Sequence, residues 1–540
     1  MARKAGAGAA GLILTTLCTG QFLMMLDSSV MNVSIATVAK DVGTTVTGIQ
    51  TAITLYTLVM ASFMITGGKI GQIIGRKRAF AIGCVIYGCG SMTTALAPSL
   101  PVLLIGWSGL EGLGAALILP AIVALVAANF GRSERPRAYG LVTAAAAVAV
   151  AVGPIVGGFF TTYLSWRYVF AGEVLIVLAI LILARRIAVG EPERKVKLDL
   201  VGTAFSALGL GLIVLGVLRS GTWGFVRARP DAPEWLGLSP VIWLVLGGAT
   251  VLALFVAWEN RLLARGREPL VNPAILRVSA LRGGLTSFFF QYFLQGGLFF
   301  AMPLFLSIAL GLSAIETGVR LLPLSFTLIL AAAGIPKALP DVSPRRVVRF
   351  GFLAMFAGLV VLVAALEAGA GPEIVTWPLL LAGLGMGSLA SQLGSITVSS
   401  VPDEQSGEVG GLQNTVTNLG ISVGTALTGA IIIATLSSSF LTGVEENPAV
   451  PAPVKSRAST ELSGGIPFLS NDELETALDE APGISSRATD AIVEDNEEAR
   501  LVGLRSALGI LALLALVGLA FTGRIPTRQP GAATEPAAAT

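Results

Sequence analysis

The stretch GGKIGQIIGRKRAF, residues 67–80, joins two apolar runs, 49–71 and 79–97, through a turn that gathers Lys69, Arg76, Lys77 and Arg78. Apolar runs of about 20 residues are long enough to cross a hydrocarbon core of roughly 30 Å as helices. A basic turn between two of them is held on the cytoplasmic side of a membrane. Its glycines let the two helix ends approach closely. Residues 67–80 therefore read as the short inner connection of a pair of membrane helices, and the rest of the chain has the same texture.

Of 540 residues, 54% are hydrophobic and 13% charged, against roughly 25% charged in an ordinary soluble domain. Helices are expected near 10–36, 49–71, 79–97, 100–124, 136–160 and 167–186, a first group of six. Two more are expected near 199–220 and 238–258. A second six follow near 283–310, 314–336, 347–366, 374–398, 409–437 and 500–522. The fold class is thus all-α and polytopic, with fourteen membrane helices. The expected organisation is an N-terminal bundle, 1–186; a linker with two helices, 187–282; five helices of a C-terminal bundle, 283–440; an acidic outer loop, 441–498; a last helix, 499–523; and a tail, 524–540, of disordered composition. The first apolar run follows only MARK and small residues and contains Asp27, so it reads as a retained helix rather than a cleaved signal peptide.

The tail and connections on one side hold 25 of the 36 Lys and Arg residues, which places both termini in the cytoplasm of a plasma-membrane protein. Residues 441–498 carry 13 acids against Lys455, Arg457 and Arg487. That composition reads as a solvated outer spacer, with a short surface helix in SNDELETALDEA. Cys18, Cys84 and Cys89 fall inside apolar runs and suggest neither a disulfide framework nor a metal site. The chain has no histidine, so proton traffic would have to use carboxylates.

Several motifs occur in a fixed order: LDSSVMNVS at 26–34, the basic turn at 67–80, GLEGLGAALILP at 109–120, VAVGPIVGGFF at 150–160 and WRYVF at 166–170. Together they resemble the major facilitator superfamily, and within it the fourteen-helix drug/proton antiporters of bacteria. The resemblance implies two six-helix bundles plus two added helices. It also implies gating roles for Gly68, Gln72, Gly75, Arg76 and Lys77 in the turn and for Gly153, Pro154, Gly157 and Gly158 in the fifth helix. Independently of the family, Pro154 removes a backbone donor and the small residues permit tight helix crossing, which suits either a hinge or plain packing. Two motifs depart from the family pattern: in the turn, Gln72 stands where it has an acid, and in the fourth helix Ser108 and Glu111 stand where it has Arg and Gln.

A carboxylate at the centre of a membrane helix costs roughly 2.5–3.5 kcal/mol on insertion scales and marks a functional position by default. Asp27, Glu111 and Glu173 are the candidates for proton coupling and substrate binding. Asp27 has a structural alternative, fixing its helix beside Ser28, Ser29 and Asn32. Asn32, Trp107 and Ser108 are candidate cavity-lining residues, as are Phe288, Gln291, Tyr292, Gln295 and Phe299. Phe288, Gln291, Gln295 and Phe299 recur at spacings that share one helix face.

The expected function is proton-coupled export of amphipathic organic compounds, cationic or lipidic. The alternatives are export of one specific lipid or natural product, or import. No phosphate-binding loop, nucleophile motif or metal set points to an ATP-driven pump or an enzyme. The expected partners are the solute, protons and the bilayer, with no nucleic acid, cofactor or metal, and a monomer is favoured.

Overall fold

A computed structural model describes residues 7–130, 135–187, 198–229, 232–339, 341–367, 369–401, 406–461, 468–479 and 484–528, and every regular element among them is helical. The first bundle consists of α1 (Ala7–Val33), α3 (Val46–Ile74), α4 (Arg76–Ala95), α6 (Gly112–Asn129), α7 (Arg135–Tyr163) and α8 (Arg167–Ala184). Two short elements, α2 (Ile35–Asp41) and α5 (Leu100–Leu103), lie at its edge, and α5 runs into α6 through a π-helical segment, Leu104–Glu111. The linker pair is α9 (Leu200–Trp223) and α10 (Pro240–Ala264). The second bundle consists of α11 (Ser279–Leu304), α12 (Ala314–Ala338), α13 (Pro344–Ala365), α14 (Thr376–Val398), α15 (Ser406–Glu446) and, beyond the short α16 (Ala452–Glu461) and α17 (Asn471–Asp479), α18 (Ser486–Ala520).

Thirteen helices among the described residues are long and apolar enough to cross a membrane. The expected third helix is the exception. It forms as α4, 20 residues long, but begins with Arg76, Lys77 and Arg78 and is diluted by Gly, Ser and Thr. Its place is set by packing against α6 and α8 rather than by its own hydropathy. With α4 included, fourteen long helices alternate in direction, so the start of α1 and the end of α18 lie on one face, called here the terminal face.

Helix starts follow from local chemistry. Thr45 caps α3, Asp199 caps α9, and Ser239 followed by Pro240 starts α10. Ser313 and Glu316 form a reciprocal capping box on α12. Between α3 and α4 the chain turns at Gly75, whose φ of +94° excludes a side chain without strain.

The bundles meet along two seams, α3 with α15 and α7 with α12. In the first seam, Gln50 donates to the carbonyls of Thr425 and Ala426 at 3.2 and 3.1 Å, and Ser422 donates to that of Thr54 at 3.0 Å. In the second, the backbones nearly touch: a Cβ added to Gly158 would lie 2.6 Å from the Ala314 carbonyl oxygen. The linker pair joins the bundles through α9, which packs on both α3 and α15. Its partner α10 is left outside: 11% of its most apolar stretch is buried, against 67% for α3.

The acidic loop departs from the expected spacer. α15 extends to Glu446, and the last helix starts at Ser486, fourteen residues before the expected 500. The expected surface helix is α17, boxed by Ser470 and Glu473, whose carboxylate accepts from both the Ser470 amide and hydroxyl at 2.9 Å. Phe468 and Val450 join the main core. Fully buried Arg500 donates to the Leu469 carbonyl at 2.9 Å and to Asn471 Oδ1. The described part of this segment is a packed cap: Val450 and Phe468 are buried, Arg500 anchors the chain at Leu469, and Asp495 accepts from Asn447 at 3.0 Å, while Glu445, Glu446, Asp472, Glu473, Glu475 and Asp490 are exposed. Residues 462–467 and 480–483 of it, and 529–540 of the tail, lie outside the described residues.

Candidate functional site

Three helices of the first bundle each contribute one carboxylate to a single point. Asp27 comes from α1, Glu111 from the end of the π-helical segment and Glu173 from α8, and all three are buried. One oxygen from each lies within 4.8 Å of the others. The sequence separates these residues by 84 and 62 positions, and only the packing of α1, α4 and α8 around the π segment unites them.

The surrounding groups are mostly hydrogen-bond donors. Trp107 Nε1 donates to both Asp27 oxygens, at 2.8 and 3.0 Å, and its ring stacks on Tyr56 at 4.9 Å with an interplanar angle of 4°. Thr94 Oγ1 donates to Glu111 Oε1 at 2.9 Å. Ser91 Oγ and Tyr87 Oη donate to Glu173 Oε2 at 3.1 and 3.3 Å. Glu111 Oε2, Glu173 Oε1 and Tyr56 Oη are buried without a partner. Among the described residues no Lys or Arg lies within 4.0 Å of these carboxylates. The three acids are the residues that would hold a positively charged species here.

Local geometry explains how the acids reach one another. The π segment ends at Glu111 and carries both site residues on one face: Trp107 reaches Asp27 of α1 and Tyr56 of α3, and Glu111 reaches Thr94 of α4. α4 comes close because Gly90 has no side chain: a Cβ there would sit 2.5 Å from Glu111 Cγ. Tyr87, Ser91 and Thr94, at spacings of 4 and 3, present the polar stripe of α4 to the acids. Sequence reasoning missed these three residues and Tyr56, although that stripe is legible in the sequence once α4 is taken as a helix.

The other candidates fall in different places. Asn32 donates to the Ser28 carbonyl of its own helix at 2.7 Å, and Ser108 donates to the Ala52 carbonyl on α3 at 2.8 Å, so neither bonds the acids. Phe288 and Gln291 are buried in α11, with Tyr292, Gln295 and Phe299 half-buried. Phe288 and Tyr292 stack at 6.0 Å, and Gln291 Oε1 has no partner. These residues belong to the second bundle and bond none of the three acids.

In the turn at 67–80, Gly68 packs near Pro120, and half-buried Gln72 follows it on α3. Arg76 donates to the Ala124 carbonyl at 3.1 Å, and Lys77 to the carbonyls of Arg185 and Ile187 at 2.8 and 2.7 Å. These cations are satisfied by carbonyls in the C-terminal part of α6 and just past the end of α8, with the favourable sign for a helix C-terminus. In α7, Gly153 and Gly157 face Ser29 and Val30 of α1, while Pro154 and Gly158 face Gly318 and Ala314 of α12. Four residues within 153–158 thus set both an intrabundle and an interbundle contact. On the face opposite the termini, Arg167 pairs with Asp41 at 2.9 Å, stacks over Trp166 and donates to the Ala97 carbonyl.

Two six-helix bundles meeting along seams of small residues, with buried acids in one of them, are the architecture of a membrane transporter rather than an enzyme. The chain belongs to the Major Facilitator Superfamily, whose family model matches residues 17–425. It is 30% identical over 456 residues to the "Probable actinorhodin transporter" of Streptomyces coelicolor, covering 82% of this chain and 75% of that protein. It is 30% identical over 431 residues to the "Puromycin resistance protein pur8" of Streptomyces alboniger, covering 77% and 80%. Among solved structures, a peptide transporter POT in complex with sulfate superposes with a TM-score of 0.59 over 96% of both chains at 15% identity, a likeness of fold alone.

Proposed function

We propose that this protein exports amphipathic organic compounds across the plasma membrane in exchange for protons, with both termini in the cytoplasm. The observation that carries the reading is the convergence of Asp27, Glu111 and Glu173 in a buried site with no basic partner among the described residues. Two ionised carboxylates 4.8 Å apart repel by roughly 3.5 kcal/mol at an effective dielectric of about 20, so three of them require added positive charge. Protons and a cationic solute compete to supply it. Proton entry from outside releases the solute outward, and proton loss to the cytoplasm readies the site again.

The aromatic rings of Tyr56 and Trp107, buried and stacked beside Asp27, support an aromatic or cationic solute as the species that would compete for this charge once the bundle opens. The names of the relatives support small organic cargo moved outward. The same names favour a second reading, export of one natural product rather than many compounds. Transport into inverted proteoliposomes under an imposed pH gradient, with cationic, neutral and lipidic solutes, separates the two. Uptake that ignores the gradient for every solute refutes proton exchange, and uptake of a single solute class refutes the broad reading.

A further inference from the structure

The linker pair carries a feature that the transport site does not use. Where α10 leaves the bilayer on the terminal face, a cleft of about 300 Å³ opens between α10, the 3-10 turn Pro273–Arg277 and the start of α11. Val256, Asn260, Pro273, Leu276, Arg277 and Arg282 line it. We propose that this cleft binds the headgroup of an anionic phospholipid, whose phosphate sits between Arg277 and Arg282 and whose acyl chain lies along α10.

Charge complementarity selects this occupant. Both arginines are exposed, and neither has a carboxylate within 4.0 Å among the described residues. Among the described residues, Glu259 accepts from the Val271 amide at 3.2 Å, Glu408 accepts from the Asn272 amide, and Glu268 faces Lys69 at 3.9 Å, so these acids are otherwise engaged. Two guanidinium forks with no carboxylate partner among the described residues match a phosphate diester, which takes bidentate bonds from each. The depth is that of the headgroups, because the cleft lies at the C-terminal end of a membrane helix and at the start of the next one.

The apolar half of the cleft leads into the membrane. Asn260, Val256, Ala253 and Ala249, spaced 4, 3 and 4 apart, form one exposed face of α10. Ala249 and Ala253 continue the exposed apolar face that begins at Val256, and one acyl chain would lie along it. A soluble phosphate would satisfy the arginines but leave this face bare. A bound lipid would tie α10, whose main packing partner is α9, to the first helix of the second bundle. Basic pockets between membrane helices are a known kind of headgroup site.

The test compares phosphatidylglycerol, phosphatidylcholine and soluble glycerol phosphate as ligands of the purified full chain, by native mass spectrometry and thermal unfolding. The expected result is retention of phosphatidylglycerol at least fivefold above phosphatidylcholine. Arg277→Gln with Arg282→Gln should remove that preference, and Val256→Trp, which fills the apolar wall without changing charge, should weaken it. Arg185→Gln with Arg186→Gln, two exposed arginines that do not line the cleft, should leave it intact. Equal loss from both arginine pairs reduces the effect to general surface charge and overturns the proposal. So does a preference untouched by Val256→Trp, or full protection by glycerol phosphate alone.

Discussion

Replacing Glu111 by Gln keeps the shape of the site and removes one charge. The amide oxygen still accepts from Thr94, whose hydroxyl stands 2.9 Å from Glu111 Oε1, and the new amide hydrogens meet the side where Glu111 Oε2 has no partner. Packing around Gly90 and Gly106 is undisturbed, so the fold should persist. A unit positive charge about 4 Å from a carboxylate gains roughly 4 kcal/mol at an effective dielectric near 20, part of which is returned as desolvation. Even a third of that term corresponds to a tenfold change in affinity. Glu111→Gln should therefore weaken binding of a cationic solute at least tenfold, leave a neutral solute within about twofold, and abolish transport of cations driven by a pH gradient. The assay is paired flux in proteoliposomes: gradient-driven uptake of a cation, and counterflow of a neutral solute as the control for insertion and folding. A variant that moves cations along the gradient as well as the parent refutes the role of Glu111. Loss of both fluxes would place it in the structure of the helix instead.

Asp27→Asn should lower both fluxes, because Asp27 also holds Trp107 Nε1 through both of its oxygens; a selective loss of cation flux alone would contradict this. Gly318→Ala places a Cβ 2.2 Å from the Pro154 carbonyl oxygen and should wedge the α7–α12 seam apart, raising the labelling rate of a cysteine set on the face opposite the termini; an unchanged rate would show that the seam yields without opening. Gln72→Asp adds an acid near Arg76 and Lys77 and should slow labelling of a cysteine in the cavity on the terminal face, whereas no change would leave the turn governed by its backbone contacts alone. Arg500→Gln removes a buried cation that holds the Leu469 carbonyl and Asn471, and should cost about 2–3 kcal/mol and loosen α17, read as faster proteolysis within 447–485; proteolysis at the parental rate would mean the cap is held by its apolar residues.

The fourteen helices were legible because the bilayer imposes one length on every span, and runs of about 20 apolar residues can be counted along a sequence. The three acids were legible for the same reason: charge in such a run is costly enough to stand out. α4 was found although its own composition is weak, since the apolar part of 79–97 still exceeds its polar stripe. The acidic segment was misread because composition reports solubility rather than contact. Its average polarity hides Phe468 and Val450, which dock it, and Arg500 of the last helix, which holds Leu469.

What the sequence determined alone was therefore the number of spans, their likeness to one family and the presence of three buried acids without histidine. That the acids form one site was decided by tertiary structure. Asp27, Glu111 and Glu173 lie on three helices, and their meeting depends on a π turn at Leu104–Glu111 and on the missing side chain of Gly90. Neither feature has a periodicity that a reading along the chain can count. The physical reason is that helix formation in lipid follows from local satisfaction of backbone hydrogen bonds, which a short window contains. The rotation and approach of helices follow from packing between residues far apart in sequence, which no window contains.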